Sequence, residues 1–166
     1  YKQEGDGKAP AGIFNIDGAY GYPPPEEMAF LKLPYIQATE TLRCVDDPDS
    51  RYYNQIVDEQ EVNKDWKSAE EMLRSDDLYK FGLIVDYNRS EPTPGAGSCI
   101  FLHLWRTAET PTAGCTAMAE DHFQSILRLI DEAKNPILVQ FPIEVYEEIR
   151  EEFDFPGLNQ AKGTGK

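Results

Sequence analysis

The residues of this sequence that could do covalent chemistry are His103 and Cys115, at the two ends of HLWRTAETPTAGC. A thiol attacks a carbonyl group as its thiolate, and a nearby imidazole lowers the pKa of the thiol. Gly114, directly before the cysteine, permits a sharp turn that would direct the backbone N–H groups of Ala113, Gly114 and Cys115 toward an oxyanion. This combination favours acyl transfer from a peptide carbonyl.

The alternative is a buried cysteine near an unrelated histidine, which is the more frequent meaning of such a pair. His103 is the better candidate base because it lies near the end of a predicted strand, SCIFLHLW, which is a rigid support. His122 falls in the first turns of a predicted helix and is expected to be exposed. Because the histidines and cysteines lack any C-x-x-C or H-x-x-x-H spacing, we expect no metal site and no cofactor.

Length and composition predict one globular, turn-rich domain in which strands outweigh helices, since the chain has 166 residues, 40% of them hydrophobic, with 12 glycines and 12 prolines. The formal net charge of -14 would repel phosphate backbones, so nucleic acid is not an expected partner. No apolar run is long enough to cross a bilayer, and no transmembrane segment is expected. The opening residues, YKQEGDGKAP, lack a signal-peptide pattern, so any signal would lie upstream.

The three cysteines are an odd number, so a disulfide in an oxidising compartment would leave one thiol over. A bridge between Cys44 and Cys99 would spare Cys115. Three reduced, partly buried thiols are an equally compatible alternative.

Five segments have the apolar, β-branched and aromatic composition of strands: AGIFNIDGAYGY, AFLKLPYIQA, TLRCV, LYKFGLIVDYN and SCIFLHLW. RYYNQIVDEQ is compatible with a strand or a loop. NPILVQF predicts a buried strand bounded by prolines.

Helix patterns occur in three places. In KSAEEMLRSDD, Ser68 with Glu71 three positions later predicts a capping box at the start of a short helix. Over residues 119–133, apolar residues recur at i, i+3, i+4 and i+7, which predicts a helix whose N-terminus lies near Cys115 and assists thiolate formation. IEVYEEIREEF predicts an amphipathic closing helix, and residues 159–166 a loose C-terminal tail.

Several blocks taken together resemble the L,D-transpeptidase catalytic domain, the YkuD-like family that remodels bacterial peptidoglycan. They are EGDGKAPAGIF, CVDDPDSRYYNQIVD, DWKSAEEM, and GSCIFLHLWR running into PTAGCTAMAEDH. The similarity covers residues 3–142, and its most specific part is a strand-borne His followed by a Ser/Thr-x-Gly-Cys loop. It implies a mainly β (α+β) fold, a YkuD-like β-sandwich of mixed sheets with peripheral helices, and a single catalytic domain over residues 1–158.

The resemblance also assigns roles in the site. It makes Cys115 the nucleophile and His103 its general base, with a backbone carbonyl orienting the imidazole. Thr112 matches the Ser or Thr of the family, and the oxyanion hole would be formed by the amides of Gly114 and Cys115, together with that of Ala113.

The sequence departs from the family pattern in the same loop. Many members carry a second His where this chain has Ala113, and an Arg where it has Ala117. The second departure removes a cation that could meet a substrate carboxylate. Arg106 is our candidate substitute, with an ordinary surface arginine as the equal alternative. The loop from His103 to Cys115 is also shorter than in many members.

The implied function is that of a peptidoglycan L,D-transpeptidase, which cleaves the L,D bond before the terminal D-alanine of a tetrapeptide stem. The resulting thioester would pass to an amine of another stem or protein. With water as acceptor the protein would be an L,D-carboxypeptidase, and a wall-associated binding or scaffold protein is the third alternative. The implied partners are peptidoglycan stem peptides, and the implied location is extracytoplasmic, in the periplasm or cell wall. The oligomeric state is left open.

Trp105 and Tyr87 are candidates for a groove that holds the stem, because aromatic faces bind sugars and apolar stems. Core packing is the more frequent role of aromatic residues on strands.

Overall fold

The computed structural model describes residues 2–157, and the tail predicted at residues 159–166 lies outside the described residues. Within this part the strands are β1 (Gly12–Gly21), β2 (Tyr35–Gln37), β3 (Leu42–Val45), β4 (Ile56–Asp58), β5 (Ala69–Glu71), β6 (Phe81–Val85), β7 (Phe101–Leu104), β8 (Thr116–Met118) and β9 (Ile137–Gln140). The α-helices are α1 (Glu120–Leu129) and α2 (Ile143–Ile149).

The strands form two sheets. The larger has the order β2-β1-β6-β7-β8, with β9 paired to the first half of β1. Its strands are mixed in direction, since β1 is parallel to β2 and β7 is parallel to β8, whereas β6 is antiparallel to both β1 and β7. The smaller sheet has the order β4-β3-β5 and is antiparallel.

Side chains of β7 alternate between two hydrophobic cores on opposite faces of the larger sheet. Leu102 packs in the core that includes Phe123 of α1, and Phe101 packs in the core that includes Cys44 of β3. Therefore α1 covers one face and the smaller sheet covers the other. His103 lies two positions after Phe101, so its side chain points to the side of the smaller sheet.

The protein is mainly β, with a mixed sheet, an antiparallel sheet and two short helices in the described part, which confirms the predicted β-rich α+β class. The strand predictions for β1, β2, β3, β6 and β7 are confirmed, and RYYNQIVDEQ contains β4. No helix within residues 2–157 has the length and apolar character needed to cross a membrane.

The capping box predicted at Ser68 and Glu71 is wrong. Ser68 directly precedes β5, which pairs with β3 so that Glu70 lies opposite Cys44. Ala, Glu and Met favour a helix locally, but pairing with β3 and the complete burial of Met72 stabilise the extended conformation. Tertiary contacts therefore override the local preference of this segment.

The helix predicted over residues 119–133 is shorter than expected. α1 ends at Leu129, and Ile130 already has extended backbone angles. A β-bridge between Lys32 and Asp131 holds the chain just beyond the helix in this extended course. The apolar periodicity therefore continues past the point at which the helix stops.

A strand that the sequence did not indicate, β8, lies between Cys115 and α1. Its three residues pair with β7 and extend by about 3.3 Å each. The predicted contribution of the α1 N-terminus to thiolate formation is therefore wrong, because the dipole effect falls off within the first turn of a helix.

The strand predicted in NPILVQF is confirmed as β9, but its predicted burial is wrong. β9 pairs with β1 alone among the described strands, and Ile137 is 51% exposed. The closing helix predicted in IEVYEEIREEF is confirmed as α2, which has no fully buried residue.

Candidate active site

His103 lies on β7, which is paired on both sides within the larger sheet. It lies opposite Gly82 of β6 and Ala117 of β8, and the Tyr20 ring occupies the space over Gly82. Only 6% of the residue is exposed. A histidine placed in this way has a rigid support, as the sequence predicted.

One hydrogen bond fixes the protonation pattern of the imidazole. Nδ1 of His103 lies 2.7 Å from the backbone oxygen of Leu104. Because a carbonyl can only accept, Nδ1 carries the proton and Nε2 is left with a free lone pair. Burial lowers the pKa of His103, and the Leu104 carbonyl opposes this effect. The neutral imidazole can therefore accept a proton through Nε2.

Tyr79 packs against the imidazole on the side of the cavity described below. Its ring meets that of His103 edge to face, with centroids 5.2 Å apart. The Tyr79 hydroxyl donates to Oε2 of Glu70, and the guanidinium of Arg74 lies 5.2 Å from the centroid of the Tyr79 ring. These contacts hold Tyr79, and through it His103, in one orientation.

The loop before the cysteine is shaped by Thr112 and Gly114. The Thr112 hydroxyl donates to the backbone oxygen of Cys115 at 2.6 Å, and the Gly114 N–H donates to the same hydroxyl oxygen at 3.3 Å. Gly114 has a φ of 145°, which side chains rarely adopt, and a Cβ there would lie 3.1 Å from the backbone oxygen of Lys8. Glycine is therefore required at this turn, in agreement with its predicted role.

Cys115 is the free thiol of the described residues, since Cys44 and Cys99 are joined in a disulfide. The Cys115 thiol donates to the backbone oxygen of Cys99 at 3.4 Å and accepts the N–H of Phe101 at 3.3 Å. The disulfide therefore lies directly behind the free thiol and anchors the carbonyl that the thiol contacts.

The surroundings of Cys115 favour the neutral thiol at rest. Burial raises its pKa to about 12, and the negative charge of Glu70 acts in the same direction. The Phe101 N–H and the Lys2 ammonium oppose this shift. A thiol with this pKa needs a base at the moment of attack, and the neutral His103 can fill that role.

The N-terminal segment packs on the loop that precedes Cys115. The Lys2 side chain is only 5% exposed, and its ammonium forms an ion pair with Asp6 at 2.6 Å. A Cβ on Gly114 would lie 3.4 Å from Nζ of Lys2, so the ammonium sits beside the loop. The EGDGKAP block therefore positions a positive charge near Cys115.

A cavity of about 330 Å³ brings His103 and Cys115 together, since both line it. Its wall also includes Glu70, Arg74 and Tyr79, and the loop residues Thr112 and Ala113. Burial raises the pKa of Glu70, and the hydrogen bond from Tyr79 opposes the shift. The cavity thus combines a free thiol, a neutral imidazole and charged groups of both signs.

Trp105, predicted as a groove residue, and Arg106, predicted as a cation for a substrate carboxylate, both line this cavity. The Arg106 side chain is 60% exposed and forms an ion pair with Asp76 at 2.6 Å. Asp76 also binds Arg74 at 2.7 Å, and the hydrogen bond from Arg74 holds the pKa of this carboxyl well below its usual range. Two guanidinium groups therefore share one carboxylate at the cavity wall.

Tyr87 does not line the cavity, so its predicted place in the groove is wrong. Its hydroxyl donates to the backbone oxygen of Ala96 at 2.7 Å, and its ring packs edge to face on Phe14. Tyr87 therefore has a packing role. His122 lies exposed in the first turn of α1, as predicted.

Sequence reasoning missed Glu70, Arg74, Asp76 and Tyr79. Glu70 lies in a segment that was predicted to be a helix, and this helix does not form. A strand interpretation of SAEEM would have placed Glu70 on the same side as the apolar Met72, two positions later, and so would have marked it as an inward carboxylate.

No protein-family model, curated protein or solved structure that was compared with the chain matches it.

Proposed function

We propose that this protein is a cysteine-dependent acyltransferase of the L,D-transpeptidase type, with a YkuD-like β-sandwich fold, acting on peptidoglycan stem peptides. The observation that carries the proposal is one cavity lined by a free thiol and by a neutral imidazole whose Nδ1 is held by a carbonyl. The sequence blocks that resemble this family supply the substrate class, which geometry alone does not define.

In the proposed mechanism the substrate carbonyl lies between the third residue of the stem and its terminal D-alanine. Nε2 of His103 takes the thiol proton as Cys115 attacks this carbonyl. The oxyanion is stabilised by the amides of Cys115 and Ala113. The Gly114 N–H, which the sequence also suggested as a donor, donates to the Thr112 hydroxyl instead. The C–N bond then breaks, D-alanine leaves with the proton from His103, and a thioester on Cys115 remains.

An amine of another stem or protein then attacks the thioester, which gives a cross-link and restores the thiol. Arg106 and Trp105 would contact the donor stem at the wall of the cavity. The Cys44–Cys99 disulfide favours an oxidising, extracytoplasmic location, where peptidoglycan also lies.

The proposal is tested by mass spectrometry of disaccharide-tetrapeptide muropeptides incubated with wild type, Cys115→Ala and His103→Ala. His122→Ala is the matched control because it removes an exposed imidazole outside the cavity. We expect cross-linked dimers with wild type and with the control, none with Cys115→Ala, and at least about a hundredfold fewer with His103→Ala.

Other products would decide between the alternatives. Loss of D-alanine without dimers would make the protein an L,D-carboxypeptidase. Unchanged muropeptides with wild type would refute an enzymatic function on this substrate and favour a wall-associated binding protein.

A further inference from the structure

Glu70 is a buried carboxylate in the candidate cavity that the mechanism above does not use. Tyr79 is its one hydrogen-bond partner within residues 2–157, and it contacts Oε2. The other oxygen, Oε1, has no partner there, and no cation of this part of the chain lies within ion-pair distance of Glu70. An unpaired carboxylate oxygen is therefore available to a ligand in the cavity.

The position of Glu70 is unfavourable for the first chemical step, the attack of Cys115 on the donor stem. A negative charge beside Cys115 opposes thiolate formation, so the carboxylate hinders the attack on the donor stem. Burial of a carboxylate without a cation is also unfavourable. Because Glu70 is unfavourable both for thiolate formation and for burial, we expect it to act in another step of the reaction.

The charges on the cavity wall indicate what that step needs. The guanidinium groups of Arg74 and Arg106 bind Asp76, and neither forms an ion pair with Glu70, although the Arg74 charge acts to lower the pKa of Glu70. What Glu70 lacks is a compact cation with several donors, and a primary ammonium has three N–H donors on one point charge.

We propose that Glu70 binds the primary ammonium of the acceptor and takes its first proton before the amine attacks the Cys115 thioester. The inference rests on the proposed function. It makes Glu70 the residue that selects an amine over water and so distinguishes a transpeptidase from a carboxypeptidase.

The acceptor ammonium gives one proton to Glu70, and the neutral nitrogen attacks the thioester carbon. The new C–N bond forms, the C–S bond breaks, and the sulfur of Cys115 receives the second proton of the nitrogen through Nε2 of His103. The products are an amide, a neutral thiol and protonated Glu70, which returns its proton to solvent.

The first experiment compares Glu70→Gln with the matched control Glu71→Gln. Both remove one carboxylate from β5 without changing the shape of the side chain, but Glu71 is exposed and does not line the cavity. Each variant receives disaccharide-tetrapeptide, and mass spectrometry measures the thioester on Cys115, the dimer, and the tripeptide formed by hydrolysis.

We expect Glu70→Gln to lower dimer formation about tenfold to a hundredfold more than it lowers thioester formation, as for the loss of one charge-assisted hydrogen bond. It should also speed alkylation of Cys115, because a negative charge beside the thiol is removed. Glu71→Gln should change neither quantity. An unchanged ratio of dimer to thioester in Glu70→Gln, or an equal fall in Glu71→Gln, would overturn the inference.

A binding measurement separates this inference from the proposed function. Calorimetry on Cys115→Ala measures binding of a disaccharide-tripeptide with a free side-chain amine and of the same compound with that amine acetylated. If Cys115→Ala prefers the free amine, and this preference disappears in the double variant that also carries Glu70→Gln, the inference is supported even if wild type forms no thioester. Equal binding of both compounds would overturn it.

Discussion

The Cys115 thiol should react slowly with iodoacetamide at neutral pH, and its rate should keep rising as the pH increases. With a pKa of about 12 the thiol is deprotonated at pH 8 in about one molecule in ten thousand, against about one quarter for an ordinary cysteine. The deprotonated fraction is therefore about two-thousandfold lower than for an ordinary cysteine. The thiolate of a weaker acid is the better nucleophile. At a Brønsted coefficient of about 0.45, the Cys115 thiolate should react about fortyfold faster than an ordinary thiolate, which offsets part of this difference. The expected alkylation is therefore about fiftyfold slower than that of an unfolded reference.

The assay follows alkylation by intact-protein mass spectrometry between pH 6 and pH 10 under non-reducing conditions. The reference is the same protein unfolded in urea, in which the disulfide stays closed and Cys115 alone reacts. The sign of the pH dependence follows from the raised pKa, because the reactive thiolate appears only as the pH approaches that value. A rate that reaches a plateau below pH 8 would show a preformed thiolate and would refute the role of His103 as a base that acts only during attack.

Three further predictions concern the framework of the site. Removal of the Cys44–Cys99 disulfide, which closes a separation of 55 residues, should lower the free energy of unfolding by about 4 kcal/mol in urea titrations; an unchanged value would show that it is not a structural link. Gly114→Ala should slow thioester formation more than about tenfold at retained fold, whereas Gly95→Ala, also at positive φ but in open space, should not; equal rates would contradict the role of the turn. Phe123→Ala should destabilise the protein by about 3–5 kcal/mol in thermal unfolding, since the ring is fully buried; a loss below about 1 kcal/mol would contradict its place in the core.

The parts of the site that the sequence predicted are those defined by local pattern. SCIFLHLW has the composition of a buried strand, and alternation along it fixes the side on which His103 lies. Gly114 marks a turn because its φ is unfavourable for other residues. The cavity shared by His103 and Cys115 follows from these two features together with the pairing of β7 and β8.

The parts of the fold and the site that the sequence did not predict depend on contacts between segments far apart in the chain. β5 is a strand because it pairs with β3, although its residues favour a helix, and this pairing brings Glu70 beside Cys115. β8 is short and is stabilised by β7, so no periodicity could indicate it. The burial of Lys2 beside Gly114 likewise arises from packing across the whole domain and has no local signature.

Acylation of Cys115 with help from His103 can be followed by rapid mixing with disaccharide-tetrapeptide and intact-protein mass spectrometry. We expect a mass increase equal to the substrate without its terminal D-alanine, located on Cys115, absent in Cys115→Ala and strongly slowed in His103→Ala. Release of D-alanine that persists in Cys115→Ala would contradict this expectation.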